Sequence, residues 1–74
     1  MNYKVWTAKE LEIGDAFLEA CSLYTILDII PGTVYDKPHA DWGSPLWITY
    51  REASGKLFIL LTYAEVPFIV RNTS

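Results

Sequence analysis

Leu11-Glu12-Ile13-Gly14-Asp15-Ala16-Phe17 restricts what this chain can become more than any other stretch. Apolar residues bracket a Gly-Asp pair, which reads as a tight turn leading into a first core strand. Just upstream, Thr7-Ala8-Lys9-Glu10 has the spacing of a capping box, in which Thr7 accepts from a backbone N–H and Glu10 reaches back. Two readings follow. In one, a single helical turn near residues 8–10 stops short and Gly14-Asp15 turns the chain into a strand at Ala16–Glu19. In the other, a helix runs on to about Cys21 with Leu11, Leu18 and Cys21 on one stripe. Gly14 would cost that helix about 1 kcal/mol relative to Ala, and Ile13 and Phe17 would fall at the stripe's margin. The short turn is favoured, and it assigns Leu11, Ile13 and Phe17 to the interior.

The remaining segments carry strand patterns. Tyr3 and Val5 alternate with Lys4 and Trp6, and Leu23–Ile30 is rich in β-branched and aromatic residues before Pro31-Gly32 breaks it. Pro31–Pro45 holds three prolines and two glycines, a loop long enough to suggest function or mobility, with Thr33-Val34-Tyr35 as a short strand extension. Leu46, Ile48 and Tyr50 alternate with Trp47, Thr49 and Arg51, the pattern of a half-buried strand, and Ser54-Gly55 makes a hairpin. Lys56–Glu65 is apolar on both faces, which predicts a central strand or one buried at an interface. Pro67 cannot donate to a ladder, so Val66–Arg71 is expected to be an edge strand or to begin after the proline. Asn72-Thr73-Ser74 reads as a frayed tail, and its match to a glycosylation acceptor carries little without an export signal.

Half the chain is apolar and eleven residues are aromatic, enough for one core in a single domain over residues 1–71. Cys21 is the only cysteine and His39 the only histidine, so neither an internal disulfide nor a four-ligand zinc site can be built. Cys21 is expected to be a small buried hydrophobe. No h-region opens the chain, and the apolar run Leu57–Leu61 is far shorter than the ~20 residues that span a bilayer. The expectation is a cytoplasmic protein with no membrane partner.

Together these signals predict a mainly β fold: a small antiparallel barrel of five or six strands with one short helical turn near residues 8–10. The pattern Leu11-x-x-Gly14-Asp15-x-Phe17, followed by a strand, a variable loop and the Ser54-Gly55 hairpin, resembles the SH3-like barrels of small bacterial and phage proteins. The resemblance covers Leu11 to Val70 and implies a fold, not a function.

Catalytic chemistry finds little support. No nucleophile motif surrounds Ser22, Ser44, Ser54 or Cys21, no Gly-rich phosphate cradle is present, and Glu10 with Glu12 reads as a solvated surface pair. His39 with Asp36 and Asp41 lacks metal-ligand spacing, so no metal or other cofactor is expected. Charge is more informative. The net charge is −3, but residues 10–41 hold Glu10, Glu12, Asp15, Glu19, Asp28, Asp36 and Asp41 against Lys37 alone, a balance of −6. Such a segment can be ordinary solvated turns or one acidic face that attracts basic partners and repels nucleic acid. Trp42, between prolines and outside any strand periodicity, is either a lid over the barrel end or an interface anchor; Trp6 and Trp47 are expected to extend the core.

The leading expectation is a non-enzymatic accessory protein of phage or bacterial type. It would occlude a basic surface of a host protein, as nucleic-acid mimics do, with Glu10, Glu12, Asp15, Glu19, Asp36 and Asp41 as the face and Trp42 as the anchor. Direct nucleic-acid contact is not expected. The alternatives are a nucleic-acid-binding barrel using Arg51 and Lys56, and a self-assembling protein in which Phe58, Leu60 and the Val66–Val70 edge meet a second copy. A homodimer is compatible with the leading expectation.

Overall fold

The computed structural model describes residues 2–71, so the expectations for the 72–74 tail lie outside the described residues. Around Gly14 the chain turns. Ala8–Glu10 forms one 3-10 turn, and Leu11 is already extended at φ −70°, ψ 148°. The Glu10 carboxylate accepts from the Thr7 N–H (3.1 Å) and the Thr7 hydroxyl (2.7 Å), which closes the start of that turn. Gly14 takes φ +96°, a conformation open to glycine at little cost. Its N–H donates to the Ile26 carbonyl and the Ile26 N–H donates to that of Asp15, both at 2.8 Å. The Asp15 side chain accepts the Glu12 N–H at 2.9 Å. Ile13, expected in the interior, is instead 65% exposed, because it occupies the tip of this turn while Leu11 and Phe17 reach the core on either side.

The strands are β1 (Tyr3–Thr7), β2 (Ala16–Glu19), β3 (Ser22–Pro31), β4 (Pro45–Glu52), β5 (Leu57–Tyr63) and β6 (Pro67–Arg71). All pair antiparallel in one sheet of order β1-β6-β2-β3-β4-β5. The sheet is open: its end strands, β1 and β5, do not pair. A register shift between Ile26 and Asp28 bends the long β3, which pairs with β2 through Ser22–Thr25 and with β4 through Tyr24–Pro31.

This order overturns one alternative of each of two strand expectations: the edge position for β6 and the central position for β5. β6 is internal, between β1 and β2, because Pro67 occupies its first position, where a missing donor costs the ladder nothing. β5 is an end strand, with Leu57 60% and Ile59 70% exposed. Thr33-Val34-Tyr35 forms a turn rather than a strand extension, since Thr33 and Asp36 bond to each other locally.

The concave face holds the core. Phe17, Ile26, Ile48 and Val70 are fully buried, and Phe17 meets Tyr24, Tyr50 and Phe68 at ring-centroid distances of 5.5, 5.1 and 5.3 Å. Trp6 packs against this cluster as expected. Trp47 does not belong to it: it alternates with Leu46 and Ile48, so it faces the other side of β4, where its indole N–H donates to Asp36 at 3.2 Å. Cys21 is exposed rather than buried, in the two-residue connection between Glu19 and Ser22.

Candidate functional site

The Pro-rich loop between β3 and β4 is built by its own short-range bonds. Asp36 accepts the Thr33 N–H at 2.8 Å as well as the Trp47 indole, and these donors hold its carboxyl below the ordinary aspartate range. Further on, His39 and Gly43 exchange backbone hydrogen bonds of 2.9 and 3.0 Å. His39 Nδ1 accepts from the N–H groups of Asp41 (3.0 Å) and Trp42 (3.3 Å), which requires that nitrogen to be unprotonated. The imidazole packs near Tyr63 and Trp42, with centroids at 5.3 and 6.4 Å.

This loop docks on the turn between β5 and β6. The Trp42 carbonyl accepts the Glu65 N–H and the Ser44 carbonyl accepts the Ala64 N–H, both at 2.8 Å. The 3-10 turn reaches the same place: Ala8 N–H donates to Val66 (2.9 Å), Lys9 N–H donates to Ala64 (3.0 Å), and the Lys9 ammonium pairs with Glu65. That hydrogen bond and charge raise the Lys9 pKa. Trp42 is 41% exposed and outside the core cluster. One end of the molecule therefore gathers Trp42, Asp41, Glu10, His39 and Tyr63 around the Lys9–Glu65 pair.

The other acids are distributed. Glu12 and Asp15 flank the Gly14 turn, where Asp15 is engaged with backbone. Glu19 lies four residues along β2, about 13 Å from Asp15 in extended chain. Asp36 is tied to Trp47. The carboxylate of Glu10 is held below its ordinary value by the Thr7 hydroxyl and N–H. Glu12, Glu19 and Asp41 make no carboxylate hydrogen bond or ion pair among the described residues. Asp36, Asp41 and Trp42 thus share the β3–β4 loop, with Asp36 tied to Thr33 and Trp47; Glu10 lies on the 3-10 turn that docks on the same β5–β6 turn, and Glu19 lies on β2.

Two surface depressions have no clear local signal in the sequence. The first, about 410 Å3, lies between β5 and the paired β2 and β6, with Phe17, Leu60, Thr62, Val66 and Phe68 along it and Glu19 as its charged residue. That carboxylate and burial together push the Tyr50 hydroxyl pKa up, burial being the larger cause. The second, about 390 Å3, lies beside the Ser54-Gly55 hairpin and brings Arg51 of β4 and Arg71 of β6 to one cleft with Thr25 and Glu52. Arg71 Nε is buried there without a hydrogen-bond partner among the described residues. The two arginines lie on strands separated by β2 and β3 and meet only as walls of this cleft, which is why sequence spacing misses them.

Among the described residues no cluster of His, Cys, Asp or Glu could hold a metal ion, and no helix is long and apolar enough to cross a membrane. Comparison with protein-family models, curated proteins and solved structures gives no match.

Proposed function

We propose that this chain is a non-enzymatic binding module, an accessory factor of phage or bacterial type. In this reading it occludes a basic surface of a cytoplasmic host protein, in the manner of a nucleic-acid mimic. The observation that carries the reading is Trp42: a large ring left 41% exposed on a loop whose backbone is bonded to His39 and Glu65. A pre-ordered aromatic loses little entropy on binding, and Trp is among the residues enriched at interface hot spots. Glu10 and Asp41 beside it supply the negative rim that would steer a basic partner. Asp36 lies on the same loop with its carboxylate tied to Thr33 and Trp47, while Glu12, Asp15 and Glu19 extend the acidic character along the Gly14 turn and β2. The finer fold reading, an SH3-like barrel left open along one seam, belongs to the same proposal; the curl imposed by the β3 bulge supports it.

The test is retention of host proteins on the immobilised chain across a salt series, with Trp42→Ala and with Glu10→Lys/Asp41→Lys. Truncating the anchor should weaken a specific interaction by about 2 kcal/mol, roughly thirtyfold. Charge reversal should slow association, and rising salt should do the same. A retained protein indifferent to salt and to both variants would refute the reading.

A second reading rests on the Arg51–Arg71 cleft. Two guanidinium groups with an unpartnered Nε suit a phosphate or carboxylate, and so the nucleic-acid alternative. A gel shift at low salt that is lost in Arg51→Ala, Arg71→Ala and Lys56→Ala would favour it over the acidic-face reading.

A further inference from the structure

β5 presents an edge that natural sheets ordinarily protect. Edge strands are usually kept from pairing by charges, prolines, bulges or covering elements. Leu57–Tyr63 has none of the first three: seven residues without a charge, a proline or a register shift. β1, at the opposite end of the sheet, is shorter and carries Lys4.

The ladder identifies which backbone groups are open. Glu52 N–H donates to Lys56 C=O at one end of the β4–β5 pair, and Ala64 N–H donates to Ser44 C=O at the other. Antiparallel bonding alternates, so Phe58, Leu60 and Thr62 exchange bonds with β4, while Leu57, Ile59 and Leu61 point their N–H and C=O groups away from it. Among the described residues the one strand paired with β5 is β4; the 3-10 turn approaches it as well, near the Tyr63 end where Lys9 bonds to Ala64. The same three residues place their side chains on the outer face, in line with Trp47, which is paired to Leu61.

We propose that this edge binds a second copy of the chain, with β5 pairing antiparallel to itself about a two-fold axis at Ile59. Ile59 then faces its own equivalent, and Leu57 of each copy faces Leu61 of the other. This register uses the open groups and stops short of the 3-10 turn. Side chains keep their face across an antiparallel pair, so Leu57, Ile59 and Leu61 of both copies form one apolar row on the outer surface. Charge favours the antiparallel sense. Each copy's hairpin end, where Arg51 and Lys56 outweigh Glu52, lies toward the other copy's loop end, where Glu10 and Asp41 remain after Lys9 and Glu65 pair; parallel pairing would bring like ends together. The β5 edge does not include Trp42, although Glu10 and Asp41 enter both charge arguments; Trp42→Ala, which should weaken the host contact and leave the dimer intact, separates the two proposals.

Sedimentation equilibrium with light scattering measures the mass across a concentration series, and amide exchange by NMR reads the edge directly. The wild-type chain should be dimeric at high concentration. Ile59→Lys, which sets two ammonium groups face to face at the axis, should raise the dimer Kd at least about tenfold; its melting curve checks that it remains folded. Val5→Lys, an equally open apolar position on β1, should leave the dimer intact. Lys56→Glu should weaken it. Amides of Leu57, Ile59 and Leu61 should gain protection with rising concentration, whereas those of Phe58 and Leu60 should be protected throughout. A monomer at millimolar protein, a dimer that survives Ile59→Lys, or one lost in Val5→Lys would each overturn the proposal.

Discussion

Strain at the Ala20–Cys21 connection makes a quantitative prediction. β2 and β3 are joined by two residues, and Glu19 pairs with Ser22 across them. Ala20 has φ 49° and Cys21 φ 65°, the doubly left-handed geometry that matches a two-residue loop to the twist of its strands. Neither residue is suited to it. An L side chain in this region costs about 1–2 kcal/mol, because Cβ crowds the following carbonyl oxygen. Cys21 is exposed, so replacing it loses little packing. In Cys21→Gly the relief of strain is offset by about 0.5–1 kcal/mol of added freedom in the unfolded chain, which leaves a net gain of up to about 1.5 kcal/mol, centred on ~0.75 kcal/mol. Adding Ala20→Asn, a residue that tolerates the left-handed region, should bring the gain to about 1–2 kcal/mol, a Tm rise of roughly 4–16 °C for a domain of this size. Urea and thermal unfolding under reducing conditions measure the effect, with Cys21→Ser as the control that removes the thiol and keeps the strain. Should Cys21→Gly prove no more stable than Cys21→Ser, the turn stores no such energy and the argument fails.

Phe17→Ala should be the most damaging core substitution. It removes a ring packed on Tyr24, Tyr50 and Phe68 at a cost of about 3–5 kcal/mol, a large share of the stability of so small a domain, and should appear as a collapsed unfolding midpoint. Gly32→Ala should destabilise by about 1–3 kcal/mol in the same assay, since its Cβ would meet the Pro45 ring at 2.6 and 2.9 Å and a proline ring cannot swing away. The Asp36 carboxyl, held low by the Thr33 N–H and the Trp47 indole, contributes stability at pH values above its unfolded pKa and loses that contribution as pH falls through its lower folded value. The Trp47 indole N–H resonance should therefore titrate with a midpoint below the ordinary 3.8, and Asp36→Asn should abolish the transition; a midpoint at or above 3.8 would contradict the assignment.

The contrast between neighbouring residues explains what was legible in advance. Thr7 and Glu10 lie three apart and bond to each other wherever the chain goes, so their turn could be read directly, as could the stop at Gly14-Asp15. Ile13 could not, because its exposure depends on which way the turn points after Gly14 bonds to Ile26. Trp47 shares a strand with Ile48, yet only the choice of concave face decides which of them is core. At the loop end, the individual acids and Trp42 were visible, but their grouping depends on the docking of residues 8–10 and 39–43 onto one turn.

By itself the sequence determined a mainly β chain, the positions of its strands and breakers, the cap at Thr7–Glu10 and the acidic bias of residues 10–41. These are properties of adjacent residues: alternation, turn chemistry and charge count. Tertiary structure alone decided that β6 is internal and β5 is the edge, that the sheet stays open, that Arg51 and Arg71 share a cleft, and that Cys21 faces solvent. The physical reason is strand pairing. A β-strand satisfies its backbone with partners distant in the chain, and β1 meets β6 across nearly its whole length. No local pattern records which strand will be left without a second neighbour.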